Sequence, residues 1–470
     1  MSSPQALAAA HLAGDPLARA WLGEPWSGIR AAADYARRFA VQGAWERAAL
    51  ARWHPLLADP ASVVVVTGQQ PAVGGGPLYT LVKLAHALAL SRRLREEGVP
   101  ALCWFWCASE DHDLGEANHA DLLLRDGRLE RVSIDLGGGR AALRWRPASL
   151  WWAPLWERCR ALFGRGLGSD WLAARAPRAE EGMGAWLCRL LADLADDEAL
   201  IACEAHELRP LWAERFVARW RSWPAAALEE RRRDLERWGL TPFGPLPRPP
   251  LFCDRPEGRL PLAEPAAAAP ELLSPGAALR PIVQQLALPA ALSVLGTAEL
   301  AYHAAITPAY AAYGVPPPLL VPRCSMTLVP TWIERAAQRL GLAVEALADG
   351  AHPEPNPPCD PWSQRLAALA QAIDGLGDGG DARIATAQAR LRRELERLRA
   401  SLARGARAAL GLPAPGALAS WLHPRGHRQE RTLSLFQALW EHGPGLFALL
   451  VRAAQQAQPG EHVLVRLGAA

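Results

Sequence analysis

The chain has 470 residues, of which 50% are hydrophobic and 21% are charged. These proportions are typical of a folded protein with two to four structural units and exclude extensive disorder. The formal net charge of +3 is too small to indicate a nucleic-acid partner, and no apolar run is long enough to span a bilayer.

The first part of the chain predicts a parallel α/β sheet. Residues 1–60 are rich in Ala, Leu and Arg and are predicted to form helices. A β-branched run at 62–67 is followed by a Gly-rich turn and by a helix predicted over 77–97. Residues 100–108 are predicted to form a second, buried strand. Strand, helix and strand within about fifty residues make a βαβ unit, and such units build parallel sheets.

The middle of the chain is predicted to extend this sheet and to interrupt it. A Trp- and Arg-rich stretch at 140–190 favours a helical insertion, and residues 245–280 favour Pro-rich loops. The four later strand candidates are 131–136, 199–204, 291–295 and 318–321.

After residue 323 the pattern becomes helical. Ile384, Leu391 and Leu398 repeat every seven residues, and a "GDGGD" turn at 377–381 precedes them. Two helices joined by a Gly turn form an antiparallel helical hairpin, either a short coiled coil or an ordinary two-helix appendage. The C-terminal region is predicted to hold a helix and a last strand, "EHVLVRL".

The eight cysteines are scattered and form no CxxC pair. The sequence therefore predicts neither a zinc knuckle nor a thioredoxin-like motif. Most of the cysteines lie in apolar runs, where a free thiol behaves as a small core residue. Since the N-terminus also has no signal-peptide pattern, we expect a cytoplasmic protein with reduced thiols.

The stretch "VVVVTGQQPAVGGGPLYTLVK", residues 63–83, contains the single lysine of a chain with 50 arginines. In parallel sheets, ligands lie beyond the carboxyl ends of the strands. Gly74, Gly75 and Gly76 permit positive φ, and Pro77 suits the first helical position, so Gly76 is the predicted N-cap. Exposed N–H groups at this helix start would then form an anion site.

Lys83 lies seven residues after Gly76 and three after Thr80, on the same helix face. Helical side chains tilt toward the N-terminus, so its ammonium can reach back toward a bound phosphate or carboxylate. Because almost every other cation is arginine, this lysine indicates a need for a compact charge, with chance retention as the alternative. The stretch is neither a Walker A loop nor a GxGxxG turn.

A second polar motif, "SEDHDLGEANH" at 109–119, follows the second predicted strand. Its carboxylates and histidines suit positioning of a substrate amine and hydroxyls, with acid–base work. A divalent metal site and a simple helix cap are the alternatives. We expect no permanent metal here.

These two motifs resemble the bacillithiol synthase family, the cysteine-adding enzymes of bacillithiol biosynthesis. Three further blocks are similar to the family in the same order, and the resemblance covers most of the chain from residue 63 onward. The blocks are "LSPGAALRPIVQQLALPAALSVLGTAELAYHA" at 273–304, "GVPPPLLVPRCSMTLV" at 314–329 and "HPRGHRQERTLS" at 423–434.

The resemblance implies a Rossmann-like parallel-sheet core, related to class I nucleotidyltransferases, with insertions. It also implies an antiparallel helical hairpin or coiled coil that supports a homodimer. The expected domains are an N-terminal helical segment (1–60), the core (61–325) with insertions at about 137–195 and 240–280, the coiled-coil hairpin (326–415) and a C-terminal segment returning to the core (416–470).

The activity implied by the resemblance is that of a carbon–nitrogen ligase. Such an enzyme joins the carboxylate of cysteine to the amine of glucosaminyl-malate in the last step of bacillithiol biosynthesis. Fold analogy adds ATP or another nucleotide as the activating co-substrate. The remaining alternatives are nucleotidyl or acyl transfer to a different amino sugar or thiol, and a non-catalytic scaffold that binds a nucleotide or sugar.

Residue-by-residue matching to the family implies two groups of site residues. The catalytic candidates are Lys83, Asp111, His112 and Asp113. The substrate-binding candidates are Gly68, Gln69, Gln70, Gly75, Gly76, Tyr79, Glu110, Asn118, Arg280, Gln284, Glu299 and Arg323.

This chain departs from the family pattern at three places. Gly74 stands where the family usually has a bulky apolar residue, and we expect it to widen or loosen the turn. Gln285 stands where an acidic residue is common. The hairpin is shorter than usual, with residues 353–361 inserted.

Overall fold

The computed structural model describes residues 3–351, 362–377, 381–409 and 415–468. The chain divides into two compact units. The first comprises Met1–Leu122, Arg131–Met326 and Leu433–Val463, and the second Leu123–Glu130, Thr327–Thr432 and Leu464–Ala470.

The strands are β1 Val63–Gln69, β2 Ala101–Cys107, β3 His119–Leu123, β4 Leu129–Ser133, β5 Leu200–Glu204, β6 Leu251–Arg255, β7 Gly258–Leu262, β8 Leu273–Pro275, β9 Ala290–Leu295, β10 Leu319–Pro322, β11 Ser325–Pro330 and β12 His462–Leu467.

The first ten helices are α1 Pro4–Leu12, α2 Pro16–Leu22, α3 Ile29–Ala40, α4 Arg47–Leu50, α5 Tyr79–Glu96, α6 Leu114–Ala117, α7 Ser149–Phe163, α8 Ser169–Ala173, α9 Met183–Ala195 and α10 Arg209–Ala218. The others are α11 Ala225–Arg237, α12 Arg280–Ala287, α13 Thr297–Tyr313, α14 Thr331–Arg339, α15 Val344–Ala348, α16 Ser363–Asp374, α17 Ala382–Ala409, α18 Pro415–Leu422, α19 Leu435–His442 and α20 Gly445–Gln456.

The first unit is built on a five-stranded parallel sheet of order β10-β9-β1-β2-β5. β1 and β2 are buried along almost their whole length, as expected for central strands covered on both faces. Chain order reverses between β1 and β9, which makes their carboxyl ends the switch point where such sheets bind ligands. The predicted parallel α/β fold is confirmed.

Helix α5 covers this sheet and packs against β1 and β2. It begins at Tyr79, with Leu78 as the N-cap residue, so the prediction of Gly76 as N-cap is wrong. The physical reason lies in the C-terminal segment. Pro77 forms a β-bridge with Ser434, and the Leu78 N–H donates to the Leu433 carbonyl at 2.7 Å, so the backbone before the helix is bonded to this segment.

The Pro-rich stretch at 245–280 also differs from the prediction of loops. It contains a three-stranded antiparallel sheet of order β7-β6-β8. Pro261 and Pro275 lie on its two outer strands, whereas the central strand has no proline. Proline is tolerated on edge strands because the missing N–H is not needed for the ladder there.

The stretch at 140–190 is helical, as predicted, and holds α7, α8 and most of α9. Its tryptophans form an aromatic cluster with α19. The Trp151 ring lies 4.7 Å from that of Trp186 and 6.1 Å from that of Phe436, both edge-to-face. Trp156 packs edge-to-face on Trp440 at 4.7 Å. This insertion is therefore an anchored part of the first unit.

In the second unit, α16 and α17 pack against each other. Arg392 on α17 pairs with Asp374 on α16 at 2.6 Å. Ile384, Leu391 and Leu398 remain 43–49% exposed, although Leu398 lines a groove with Leu366 and Leu369 of α16. The coiled coil stays a prediction. The inserted residues 353–361 and the centre of the "GDGGD" turn lie outside the described residues.

Gln429, within the "QER" block, is buried and ties two elements of the second unit together. Its side chain accepts from the Leu328 N–H at 2.8 Å and donates to the carbonyls of Leu328 and Trp421 at 3.2 and 3.3 Å. Gln429 therefore has a structural role in this unit. Among the described residues, no helix combines the length and the apolar character needed to cross a membrane.

Candidate active site

Lys83 lies on α5 with its ammonium at the carboxyl end of β1. The side chain is 3% exposed, and Nζ donates to the Gly68 carbonyl at 3.0 Å, to Gln69 Oε1 at 3.1 Å and to Glu299 Oε1 at 2.9 Å. The predicted backward reach of the side chain is therefore observed, but its acceptors belong to the protein itself. The charge of the single lysine is paired with a carboxylate.

Glu299 links the two sides of the switch point. Its carboxylate pairs with Lys83 and also accepts from the Gly296 N–H at 2.7 Å, which caps the start of α13. The side chain remains 34% exposed. Tyr302, one turn later, stacks on Phe243 at 4.6 Å. Glu299 thus caps its helix and in addition holds the lysine.

Gln69, Tyr79 and Arg323 surround this ion pair. Gln69 Nε2 donates to the Tyr79 hydroxyl at 3.0 Å. The Lys83 ammonium and the Arg323 guanidinium each lie 5.7 Å from the centre of the Tyr79 ring, a distance at which a cation is attracted to an aromatic face. Arg323 also donates to the Cys324 carbonyl at 2.9 Å. The predicted residues of the first motif therefore lie together.

The Gly-rich turn is packed inward. The Gly75 and Gly76 N–H groups donate to the Ala72 and Val73 carbonyls at 2.9 and 3.3 Å, and the Leu78 N–H donates to the Leu433 carbonyl at 2.7 Å. The expectation of exposed N–H groups at this helix start is therefore wrong for these three amides. Gly74 has φ 65°, and a Cβ there would lie 2.8 Å from Leu155 Cδ2. The turn is held tightly, contrary to the expected loosening.

At Gly68, glycine is required because β2 lies too close for a side chain. A Cβ at this position would lie 2.4 Å from the Trp106 carbonyl oxygen on β2. Only glycine allows the two strands to pair here without a shift of the backbone. Its carbonyl is thereby fixed where Lys83 reaches it.

Asp111 follows β2 and forms an ion pair with Arg280, the first residue of α12, at 2.8 Å. Burial alone would raise the pKa of Asp111, but the charge and hydrogen bond of Arg280 outweigh it, and the pKa falls to about 2. Asp111 also accepts from the His112 N–H at 2.8 Å. This carboxylate is ionised at all physiological pH values.

His112 lies between two arginines that the sequence analysis did not identify. Arg259 Nη1 is 3.1 Å from His112 Nδ1, and Arg140 Nη2 is 3.4 Å from Nε2. Burial and then the nearby Arg259 charge lower the pKa of His112, so the imidazole is neutral at neutral pH. The two arginines are 147 and 28 residues away in sequence, and no local pattern points to them.

Glu110 belongs to a buried ionic network. It is 1% exposed and pairs with Arg209, which also donates to Asp254 at 2.6 Å. Asp254 in turn pairs with Arg144 at 2.8 Å. Because every member is charge-paired, the network holds the antiparallel sheet of β6, β7 and β8, called the insertion sheet below, against the end of β2. A usable sequence signal was the charged Glu110 directly after an apolar strand, which requires a buried partner.

The remaining candidates of the second motif have local partners. Asp113 is the N-cap of α6 and accepts from the Gly115 N–H at 2.9 Å. Gln70 donates to Glu116 at 3.1 Å, and Asn118 Oδ1 is 3.1 Å from His119 Nδ1.

Gln284 lies half-buried on α12, and its backbone carbonyl accepts from the Leu288 N–H at 2.8 Å. Gln285, the departure from the family pattern, is buried and donates from its side chain to the Ala290 carbonyl at 2.9 Å. Within the described part of the chain, no group of three or more His, Cys, Asp or Glu side chains is arranged to hold a metal ion.

Glu204, at the carboxyl end of β5, was not predicted as a site residue. Burial raises its pKa to about 7. A Cβ at Gly184 would lie 2.2 Å from Glu204 Oε1, so α9 approaches this carboxyl very closely. The neighbouring parallel strands β1 and β5 therefore end in Gln69 and Glu204, and Ser109 and Glu110 follow the end of β2.

A parallel five-stranded sheet whose chain order reverses between β1 and β9 defines a Rossmann-like α/β domain. The family model for "Bacillithiol biosynthesis BshC, N-terminal Rossmann-like domain" matches residues 39–161 and 259–324. The chain belongs to the BshC family of bacillithiol biosynthesis. This confirms the family identified from the sequence.

Curated relatives cover most of the chain. A protein of Thermus thermophilus named "Putative cysteine ligase BshC" is 32% identical over 426 residues, which is 81% of this chain and 84% of the relative. Its namesake in Koribacter versatilis is 28% identical over 452 residues, 86% of this chain and 84% of the relative. The prediction of an enzyme is confirmed at the level of this family.

Proposed function

We propose that this chain is a cysteine ligase that joins the carboxylate of cysteine to the amine of glucosaminyl-malate. The observation that carries the proposal is the 32% identity over 84% of a relative named as a cysteine ligase. The site geometry supports it, since charged groups lie at adjacent carboxyl ends of a parallel sheet. Cytoplasmic location and a homodimer are further parts of the proposal.

Formation of an amide needs an activated carboxylate and an amine that has lost its proton. ATP or another nucleotide is proposed as the co-substrate that supplies the activation. The Gly-rich turn fits the phosphates of such a group poorly, because the Gly75 and Gly76 amides are already bonded within the turn. We therefore derive no step through the nucleotide.

The chain's own residues suit the binding of an amino-sugar substrate. Asp111 is ionised and can accept hydrogen bonds from an ammonium or hydroxyl group. Glu299 is partly exposed and can accept in the same way while Lys83 holds its orientation. In this proposal Lys83 acts as a positioning residue, because its ammonium donates to Gly68, Gln69 and Glu299 and so orients the Glu299 carboxylate.

The test is an assay of purified protein with cysteine and glucosaminyl-malate, with and without ATP. Mass spectrometry should find the amide product and, if ATP activates, AMP or ADP. Asp111→Asn should lower kcat/KM at least tenfold, whereas Arg160→Gln, on the exposed face of α7, should not change it. Absence of the amide under both conditions, with protein that is folded by circular dichroism, would refute the ligase proposal.

A further inference from the structure

Arg259, on β7, is held rigidly in the insertion sheet. The residue is 2% exposed, Nε donates to Ser274 Oγ at 2.9 Å, and Nη2 donates to the Pro275 carbonyl at 2.7 Å. The guanidinium carbon lies 4.1 Å from the centre of the Phe252 ring. Its remaining group, Nη1, is thereby fixed at 3.1 Å from His112 Nδ1.

This contact determines the tautomer of His112. A guanidinium can only donate, and a neutral imidazole has one acceptor nitrogen, so only one of the two arginines can be bonded to the ring. The contact from the buried Arg259 at 3.1 Å is shorter than that from the exposed Arg140 at 3.4 Å, so Nδ1 is assigned as the acceptor, without a proton. The proton of the neutral imidazole is then on Nε2. The ring cannot move away from this arrangement easily, since it also packs on Phe252 with ring centres 6.1 Å apart.

Nε2 in turn faces a second donor. Arg140 Nη2 lies 3.4 Å from it, and the Arg140 carbonyl accepts from the Arg259 N–H at 2.8 Å, which anchors the backbone of this exposed residue. Two N–H donors cannot form a hydrogen bond with each other. Their proximity suits an anionic oxygen that accepts from both.

We propose that the His112 Nε2–H and the Arg140 guanidinium form a subsite for a carboxylate group of the substrate. The identity of the molecule that carries this carboxylate rests on the proposed function, whereas the subsite geometry does not. His112 is then a hydrogen-bond donor to substrate. This role differs from the acid–base work that the sequence suggested for the histidines of this motif.

The surrounding charges favour a carboxylate over a phosphate. The charged groups that act on His112 are Asp111 and Asp113 on its own loop, Arg140, and Arg259 on β7. These two cations and two anions balance. A carboxylate adds one negative charge to this site and a phosphate nearly two, so the carboxylate meets less repulsion.

The first experiment reads the tautomer directly. Long-range ¹H–¹⁵N NMR of the full chain, with His112 assigned from the signal lost in His112→Gln, should show the Nε2–H form at pH 7.5. The Nδ1–H form, or a ring in rapid exchange between tautomers, would overturn the inference. This measurement is independent of any enzymatic activity.

The second experiment measures binding of L-malate by calorimetry, with inorganic phosphate as the competing probe. Arg140→Gln should weaken malate binding about tenfold, as loss of one charge-assisted hydrogen bond predicts. His112→Leu should do the same, while His112→Gln, which keeps a donor near the Nε2 position, should remain within about threefold of the wild type. Arg160→Gln is the matched control for loss of charge.

The outcomes separate this inference from the proposed function. Malate binding that follows the pattern above supports the subsite even if no amide product is formed. Equal losses in His112→Gln and His112→Leu would overturn the donor role, and phosphate binding tighter than malate binding at this site would overturn the carboxylate assignment. Absence of malate binding by the wild type would overturn the subsite, whether or not the ligase assay succeeds.

Discussion

The Lys83–Glu299 ion pair provides the sharpest test of how the switch point is held together. Lys83→Met keeps a long, flexible side chain but removes the ammonium and its three hydrogen bonds. Glu299→Gln keeps the shape of the carboxylate and removes its charge. Because the pair joins α5 to α13, each change should weaken the attachment of the two helices at the ends of β1 and β9.

The size of the expected loss of stability follows from the burial of the two partners. Removal of one partner of a fully buried ion pair costs about 3–5 kcal/mol, because the other charge stays unpaired. Lys83 is 3% exposed, but the Glu299 side chain is 34% exposed and water can reach it when the lysine is gone. We therefore expect Lys83→Met to lower the free energy of unfolding by about 2–3 kcal/mol.

The assay is a double-mutant cycle of Lys83→Met, Glu299→Gln and the double variant. Urea unfolding followed by tryptophan fluorescence gives the three free-energy changes. Residues in direct contact should show a coupling energy of about 1 kcal/mol or more. If the free-energy changes of the two single variants sum to that of the double variant within about 0.5 kcal/mol, the two side chains are not coupled and the stabilising ion pair is refuted.

Lys83→Arg separates the charge from the geometry. A planar guanidinium retains the positive charge but cannot place its donors on Gly68, Gln69 and Glu299 as a compact ammonium does. We expect kcat/KM for the ligase reaction to fall at least tenfold. Unchanged turnover would mean that any cation suffices at this position.

The other predictions concern packing and pH. Gly74→Ala should lower the free energy of unfolding by about 2–4 kcal/mol, because strain at positive φ and a packing clash add together. Gly98 also has a positive φ, 77°, but open space around it. Gly98→Ala should therefore cost only about 1 kcal/mol in the same thermal unfolding assay. Asp111 has its pKa lowered to about 2 by Arg280, so its ion pair stabilises the fold above about pH 4 and the stabilisation is lost as the pH falls toward 2. Asp111→Asn should remove about 2 kcal/mol of this acid-dependent stability, and an unchanged pH profile would contradict the pairing. Burial raises the pKa of Glu204 to about 7, so the wild type should lose stability as the pH rises from about 5 to 7. Glu204→Gln lacks this titration. The free energy of unfolding of the variant minus that of the wild type should therefore be about 2–3 kcal/mol larger at pH 8 than at pH 5.

The sequence predicted those features that depend on short-range pattern. The apolar run before Gly68 and the run "PALCWFWC" became β1 and β2, because buried parallel strands read as continuous apolar segments. The rule that ligands lie beyond strand ends predicted that the motifs after these two strands lie at one edge of the sheet, and the structure pairs Gln69 at the end of β1 with Cys107 at the end of β2, four residues before Asp111. The strand predicted at 131–136 forms two to three residues earlier, as β4.

Features that depend on distant residues could not be predicted in this way. The start of α5 is set by Ser434 and Leu433, more than 350 residues later, which is why the local capping rule failed. The partners of His112 come from a loop and from an antiparallel sheet hidden in a Pro-rich stretch. The proline content of this stretch indicated loops. The prolines lie on edge strands, however, where a sheet tolerates them.

The pairing of charges within the site changes how its cations should be interpreted. Lys83 and Arg280 each look, in sequence, like groups that wait for an anionic ligand, yet each is bonded to a carboxylate of the protein. A paired cation orients its carboxylate, so the groups presented to an amino-sugar substrate are Glu299 and Asp111. The anion of the substrate is then left to the donors around His112. Substitution of a cation at either pair should therefore alter amine recognition, and substitution of Arg140 should alter carboxylate recognition.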